Sequence, residues 1–131
     1  MPETARRVLL IDDEPHISSI LDRRFTMAGW TTAIAKNGRE AMDMLEPPPD
    51  VVIVDYQMPT MDGLETAEAL ATHDATRHAP IIMLTARGHL VDQDRVAATN
   101  IRTLLPKPFS AREVIAAADD LVNNADSEAA A

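Results

Sequence analysis

The order of apolar runs predicts an α/β protein whose core is a five-stranded parallel sheet flanked by helices. Val8-Leu9-Leu10-Ile11, Val51-Val52-Ile53-Val54 and Ile81-Ile82-Met83-Leu84 are short and rich in β-branched residues. Helix-length segments separate them, the pattern of parallel strands buried on both faces. Each run also ends in polar residues, namely Asp12-Asp13, Asp55 and Thr85, and the shorter Leu104-Leu105 leads through Pro106 to Lys107. Ligands of such sheets bind just outside the carboxyl ends of the strands. The polar endings are therefore expected to meet at one edge.

Arg7 to Ile11 is the first strand, and Pro15 suits the first turn of a helix running to about Ala28. Ile17, Ile20, Leu21 and Phe25 recur at helical spacing, and Gly29 ends that helix. Thr31 to Ala35 reads as the second strand. Asn37-Gly38 turns into a helix carrying Met42 and Leu45, which Pro47-Pro48-Pro49 stops. Asp50 to Val54 is the third strand, followed by a long loop from Tyr56 to Asp62. Gly63 opens a helix with Leu64, Ala67 and Leu70.

After Pro80, Ile81 to Leu84 forms the fourth strand. His89 to Ala98, with Leu90 and Val96, reads as a helix, and Asn100 as a turn residue that tolerates left-handed backbone. Thr103 to Leu105 is a short fifth strand. Ser110 with Glu113 three residues on is a capping-box pattern for a last helix through Val114, Ile115 and Leu121. The domain is expected to occupy residues 1–123. Residues 124–131 have no apolar face and read as a mobile tail.

The bulk composition narrows the function classes. A chain of 131 residues is one domain, and 46% hydrophobic with 25% charged residues is a globular balance. With no cysteine, thiolate and disulfide chemistry are excluded. The apolar runs are too short to span a membrane, and Met1 to Thr4 followed by Arg6-Arg7 do not open a secretory signal. The expectation is a cytoplasmic protein without a membrane partner. Twelve basic residues against 21 acidic ones give a net charge of −9. Nucleic-acid affinity depends on phosphate contacts, so the expected partner is a protein and not DNA or RNA.

Each candidate residue has a plainer reading. Asp12 or Asp13 could cap the helix behind Pro15, Asp55 and Thr85 could simply close strands, and Lys107 could be a surface lysine. Strand alternation sends Asp12 and Asp13 in different directions, so at most one is expected to point squarely at a shared site. The combination outweighs the parts. Three carboxylates at one edge repel unless a cation neutralises them, and hard oxygen ligands favour Mg2+. Asp55 could then attack phosphorus to form an acyl phosphate, with Mg2+ and Lys107 neutralising charge and Thr85 donating a hydrogen bond. Pro106 and Pro108 fix the backbone around Lys107, and Pro108 is a candidate for a cis peptide bond. Met58 and Met61 read as packing beside the site. The four histidines show no metal-ligand spacing, and no phosphate-binding glycine loop or nucleophile elbow is present.

The motifs Leu9-Leu10-Ile11-Asp12-Asp13-Glu14, Asp55 with Met58-Pro59-Met61-Asp62-Gly63, Leu84-Thr85-Ala86 and Lys107-Pro108-Phe109 are similar to those of the CheY-like receiver domain of two-component response regulators. The resemblance covers about residues 6–123. It implies a flavodoxin-like three-layer (βα)5 sandwich with strand order 2-1-3-4-5. It also implies Asp55 as phosphoacceptor and Asp13 as a direct Mg2+ ligand. Asp12 would act through water, the Gln57 backbone carbonyl as a further ligand, and Thr85 and Lys107 as contacts to the phosphoryl group. Gln57 and Arg87 fall where the family tunes the lifetime of the phosphorylated state. Leu104 departs from the pattern, because many receivers carry Tyr or Phe three residues before the lysine, and Asn100 and Ile101 replace its usual small residues. The signal is then expected to pass through the Thr85 loop and the helix beginning near His89.

The leading expectation is a stand-alone receiver, a monomer or weak homodimer, phosphorylated by a sensor histidine kinase or a histidine phosphotransfer protein. The resemblance implies contact with a downstream protein target through the fourth helix, fifth strand and fifth helix. Such a chain is not an enzyme with external turnover, since it catalyses only its own phosphorylation and dephosphorylation. The alternative is an interaction module that keeps the fold without phosphorylation. An Mg2+-dependent phosphohydrolase fits less well, because Gln57 stands where a second aspartate would serve as acid–base.

Overall fold

The computed structural model describes residues 6–58, 61–86 and 91–130, with side chains described up to residue 124. Pro59, Arg87, His89 and Leu90, to which the sequence assigns roles, lie outside the described residues, as do Met1 to Thr4. Five strands, β1 (Arg7–Ile11), β2 (Thr31–Ala35), β3 (Val51–Asp55), β4 (Ile81–Thr85) and β5 (Ile101–Pro106), pair in parallel in the order β2-β1-β3-β4-β5. The helices are α1 (Pro15–Met27), α2 (Gly38–Met42), α3 (Gly63–Leu70), α4 (Gln93–Ala97) and α5 (Ala111–Ala130). The predicted parallel sheet and strand order are present.

Side-chain alternation along each strand divides the core in two. Leu9, Ile11, Val52, Val54, Ile81 and Met83 pack with Ala41 of α2 and Leu64, Ala67 and Leu70 of α3. Val8, Leu10, Val51, Ile53, Ile82 and Leu84 pack with Leu21 and Phe25 of α1 and Val114, Ala118 and Val122 of α5. The Phe25 ring meets Trp30 edge to face at 5.2 Å between centroids. Fully burying one such aliphatic side chain contributes about 1.5–3 kcal/mol, so the all-apolar strands hold the edge residues on a rigid platform.

Several boundaries differ from expectation. Helix α2 stops at Met42 rather than reaching Leu45. The residue before a proline is disfavoured in helical backbone, and Glu46 precedes Pro47. Leu45 is still buried, reaching the core from irregular chain. Strand β5 begins at Ile101 and ends at Pro106, longer than Thr103 to Leu105, because pairing of Ile101 with Ile81 and of Pro106 with Thr85 extends it at both ends. Pro106 is tolerated because β5 is an edge strand. Helix α4 begins at Gln93, where the Asp92 side chain accepts from the N–H groups of Asp94 and Arg95.

Ile20, placed by its spacing on the buried stripe of α1, is 44% exposed. Leu21 and Phe25 take the core-facing positions, and Ile20 lies one residue round the helix from them. Helix α5 opens with the expected capping box, Ser110 and Glu113 each accepting the other's backbone N–H. It runs on past Asn123 to Ala130 through a stretch without glycine or proline, where alanine favours helix. The Lys107–Pro108 bond is cis, as is Glu46–Pro47. Among the described residues no helix is long and apolar enough to cross a membrane.

Candidate functional site

The register of the sheet builds the site. Ile11 lies beside Val54, so Asp12 follows at the level of Asp55. Asp55 pairs with Leu84, placing Thr85 one step beyond it, and Thr85 pairs with Pro106, which hands the chain to Lys107. All the polar endings therefore reach the carboxyl edge together. Asp12, Asp55 and Thr85 are buried there, at 5%, 2% and 2% exposure.

Asp12, Asp13 and Asp55 each offer a carboxylate oxygen, and these atoms all lie within 4.8 Å of one another. The expectation that only one of Asp12 and Asp13 points at the site is thus corrected. Alternation applies only within a strand, and β1 ends at Ile11, so the bend at Asp13 lets the exposed Asp13 carboxylate reach the same cluster as the buried Asp12. The Nζ of Lys107 lies 2.6 Å from Asp55 Oδ1. This is a close charge pair outside hydrogen-bond alignment, because Asp55 Oδ1 has no aligned donor among the described residues.

Asp12 Oδ2 is likewise buried without a hydrogen-bond partner among the described residues, while Asp12 Oδ1 accepts from the Glu14 backbone N–H at 2.9 Å. Leaving a buried carboxylate oxygen unmatched is costly. A hard divalent cation held by these three carboxylates would satisfy it, so the residues fit Mg2+.

The electrostatics follow from burial. Desolvation pushes the Asp12 carboxyl up to about 6, with the Glu14 N–H opposing and the Asp55 charge adding to the rise. Burial likewise raises Asp55 above the ordinary carboxylate range, against the opposing pull of Lys107. For Lys107, desolvation acts downward but the Asp55, Asp12 and Glu14 carboxylates outweigh it, so its ammonium form is reinforced. The result is a buried carboxylate beside a fixed cation, with two further carboxylates close enough to share a metal ion with it.

Gly63 and Asp62, part of the motif that follows Asp55, shape this edge through packing and capping. Gly63 presses against the end of β3. A Cβ there would lie 2.6 Å from the Asp55 carbonyl oxygen and 2.7 Å from the Tyr56 Cα, and the Gly63 N–H donates to the Tyr56 carbonyl at 2.8 Å. Asp62 and Glu65 form a capping box, at 2.8 and 3.0 Å, that fixes how the loop after Asp55 returns into α3. The Asp-x-x-Glu spacing was the available signal. Gln57 is exposed and Met58 is buried in the core under α3, as its packing role required.

Comparison with known proteins matches this geometry. The family model described as "Response regulator receiver domain" matches residues 8–119. The transcriptional regulatory protein CpxR of Escherichia coli (strain K12) is 36% identical over 110 residues, covering 84% of this chain and 46% of that protein. The chain thus spans about half the length of the curated relatives it matches. Among solved structures, the chemotaxis protein CheY4 of Vibrio cholerae superposes with a TM-score of 0.83 at 27% identity, covering 90% of this chain and 99% of that one. The signal receiver domain of a signal transduction histidine kinase from Syntrophus aciditrophicus gives 0.79 at 27% identity, covering 92% of each.

Proposed function

The chain belongs to the response regulator receiver domain family of two-component signalling, and on that premise we propose that Asp55 accepts a phosphoryl group from a sensor histidine kinase or a histidine phosphotransfer protein. The observation that carries the assignment is the buried Asp55 carboxylate with Lys107 at 2.6 Å and two more carboxylates within 4.8 Å. An Asp55 oxygen forms the new bond to phosphorus as the phosphorus–nitrogen bond to the donor imidazole breaks. The imidazole nitrogen keeps the electron pair and takes a proton from solvent.

In this reading Asp12, Asp13, Asp55 and the Gln57 backbone carbonyl hold Mg2+, which when bound neutralises charge on the transferring group. Lys107 keeps Asp55 ionised against its burial and then pairs with a phosphoryl oxygen. Thr85, at the end of β4, donates to another. The new charge biases a two-state equilibrium that a downstream protein reads.

A groove of about 450 Å³ beside Lys107 supports a protein donor. Ile17, Ile20, Pro108 and Phe109 line it, and Ile20 is 44% exposed there. A donor helix seated there would bring its histidine over Asp55 while burying apolar surface. In the narrower form of the proposal the domain acts by itself in the cytoplasm, as a monomer or weak homodimer. Its net charge of −9 favours protein over nucleic acid as what it touches.

Incubation with Mg2+ and a small phosphodonor is expected to give a monophosphorylated, acid-stable and base-labile species, absent in Asp55→Asn. An unlabelled wild type, or equal labelling of Asp55→Asn, would overturn the assignment.

A further inference from the structure

We propose that the Glu68–Arg95 ion pair clamps α4 onto α3 and sets how readily α4 detaches when Asp55 is modified. Helix α4 has five residues and none of them is buried. A free helix of that length does not persist in water, because nucleation costs more than one turn returns. Its apolar anchorage consists of Val91, buried just before it, and the half-buried Val96.

The Arg95 guanidinium supplies what packing does not. Its Nε donates to Glu68 Oε2 at 2.9 Å and its Nη2 to Glu68 Oε1 at 2.6 Å, a forked geometry that fixes orientation as well as distance. Among the described residues this is the only ion pair joining two helices. Arg95 also holds the Glu68 carboxyl below the usual range. The elements so joined are those that leave the site, α3 following the strand of Asp55 and α4 following the strand of Thr85. The pair therefore ties the helix that follows the strand of Asp55 to the helix that follows the strand of Thr85.

Only the functional half of the proposal rests on Asp55 as phosphoacceptor. Hydrogen exchange on the unmodified chain tests the clamp itself through the amides of Val96, Ala98 and Thr99, which donate to Asp92, Arg95 and Val96 carbonyls. Glu68→Gln and Arg95→Gln should each speed exchange there by about two- to fivefold, the range of a well-formed exposed pair. The amides of Leu10 and Ile53 should be unchanged, and the double variant should go no further than either single one. The exchanged pair Glu68→Arg with Arg95→Glu should restore slow exchange. Unchanged α4 amides, or acceleration spread evenly over the sheet, would overturn the clamp.

With Mg2+ present, Glu68→Gln should bind beryllofluoride more tightly by a similar factor, since less is spent on release. Equal affinity would overturn the regulatory half. Failure of the wild type to bind beryllofluoride at all would instead remove the phosphoacceptor assignment, and the exchange result would decide the clamp alone.

Discussion

Replacing Asp12 with asparagine is expected to stabilise the metal-free protein while abolishing its response to Mg2+. The folded chain holds Asp12 at about 6 against an ordinary 3.8, chiefly because burial penalises the charged form. At about 1.4 kcal/mol per pH unit, that rise is a penalty of at most roughly 3 kcal/mol. An acid whose pKa rises on folding binds more protons folded than unfolded. The penalty is therefore absent below about pH 4, grows as pH rises to about 6, and is fully present above that. Asparagine removes the charge and keeps an oxygen for the Glu14 N–H, but its amide nitrogen has to align with the Asp13 or Asp55 carboxylate, and imperfect alignment costs about 1–2 kcal/mol. The net expected gain near neutral pH is about 1–2 kcal/mol, or a Tm higher by about 3–8 °C. Urea denaturation in chelator and in Mg2+ checks it. Wild type should gain about 2.7 kcal/mol at a hundredfold excess of Mg2+ over its Kd, and the variant far less. A variant less stable than wild type in chelator, an advantage undiminished at about pH 4, or equal stabilisation of both proteins by Mg2+ would refute the reasoning.

Three further outcomes follow from the same structure. Lys107→Met strips Asp55 Oδ1 of its 2.6 Å ammonium and should cost about 1–3 kcal/mol near neutral pH. The loss should shrink as pH falls and Asp55, already raised by burial, takes up a proton, so a pH-independent loss in denaturation would contradict it. Gly63→Ala forces a Cβ against the backbone of Asp55 and Tyr56 and should cost about 1–3 kcal/mol and weaken Mg2+ binding by calorimetry. Unchanged stability and metal affinity would show that the loop yields freely. Arg6→Ala removes the 2.9 Å ion pair to Asp119, the hydrogen bond to Asn123 and the guanidinium 5.7 Å from the centre of the buried Trp30 ring. Its cost should stay near 1 kcal/mol by chemical denaturation, and a value above about 3 kcal/mol would mean that these contacts organise the core.

Much of the architecture was written locally. Val51 to Val54 and Ile81 to Leu84 are apolar at every position, which leaves a doubly covered parallel strand as their natural environment. Pro15, the Asn37-Gly38 turn and the Ser110–Glu113 box marked helix starts for equally local reasons. That the candidates would gather was legible too, because each sat at a strand end and parallel strands bring those ends to one edge. Where the reading slipped, the missing term was a neighbour. Ile101 and Pro106 joined β5 because β4 offered Ile81 and Thr85 as partners, and Ile20 is exposed where the neighbouring Leu21 is buried.

From residue types and spacing alone came the parallel sheet, the acidic edge and the list Asp12, Asp13, Asp55, Thr85 and Lys107. Tertiary structure decided the rest: that the Asp12 and Asp13 carboxylates both reach Asp55, that burial lifts the Asp12 and Asp55 carboxyls, that Gly63 closes the loop behind Asp55, and that Glu68 reaches Arg95. The physical reason is range. Periodicity and capping act over a few residues of chain, whereas desolvation and ion pairing depend on what distant segments bring alongside.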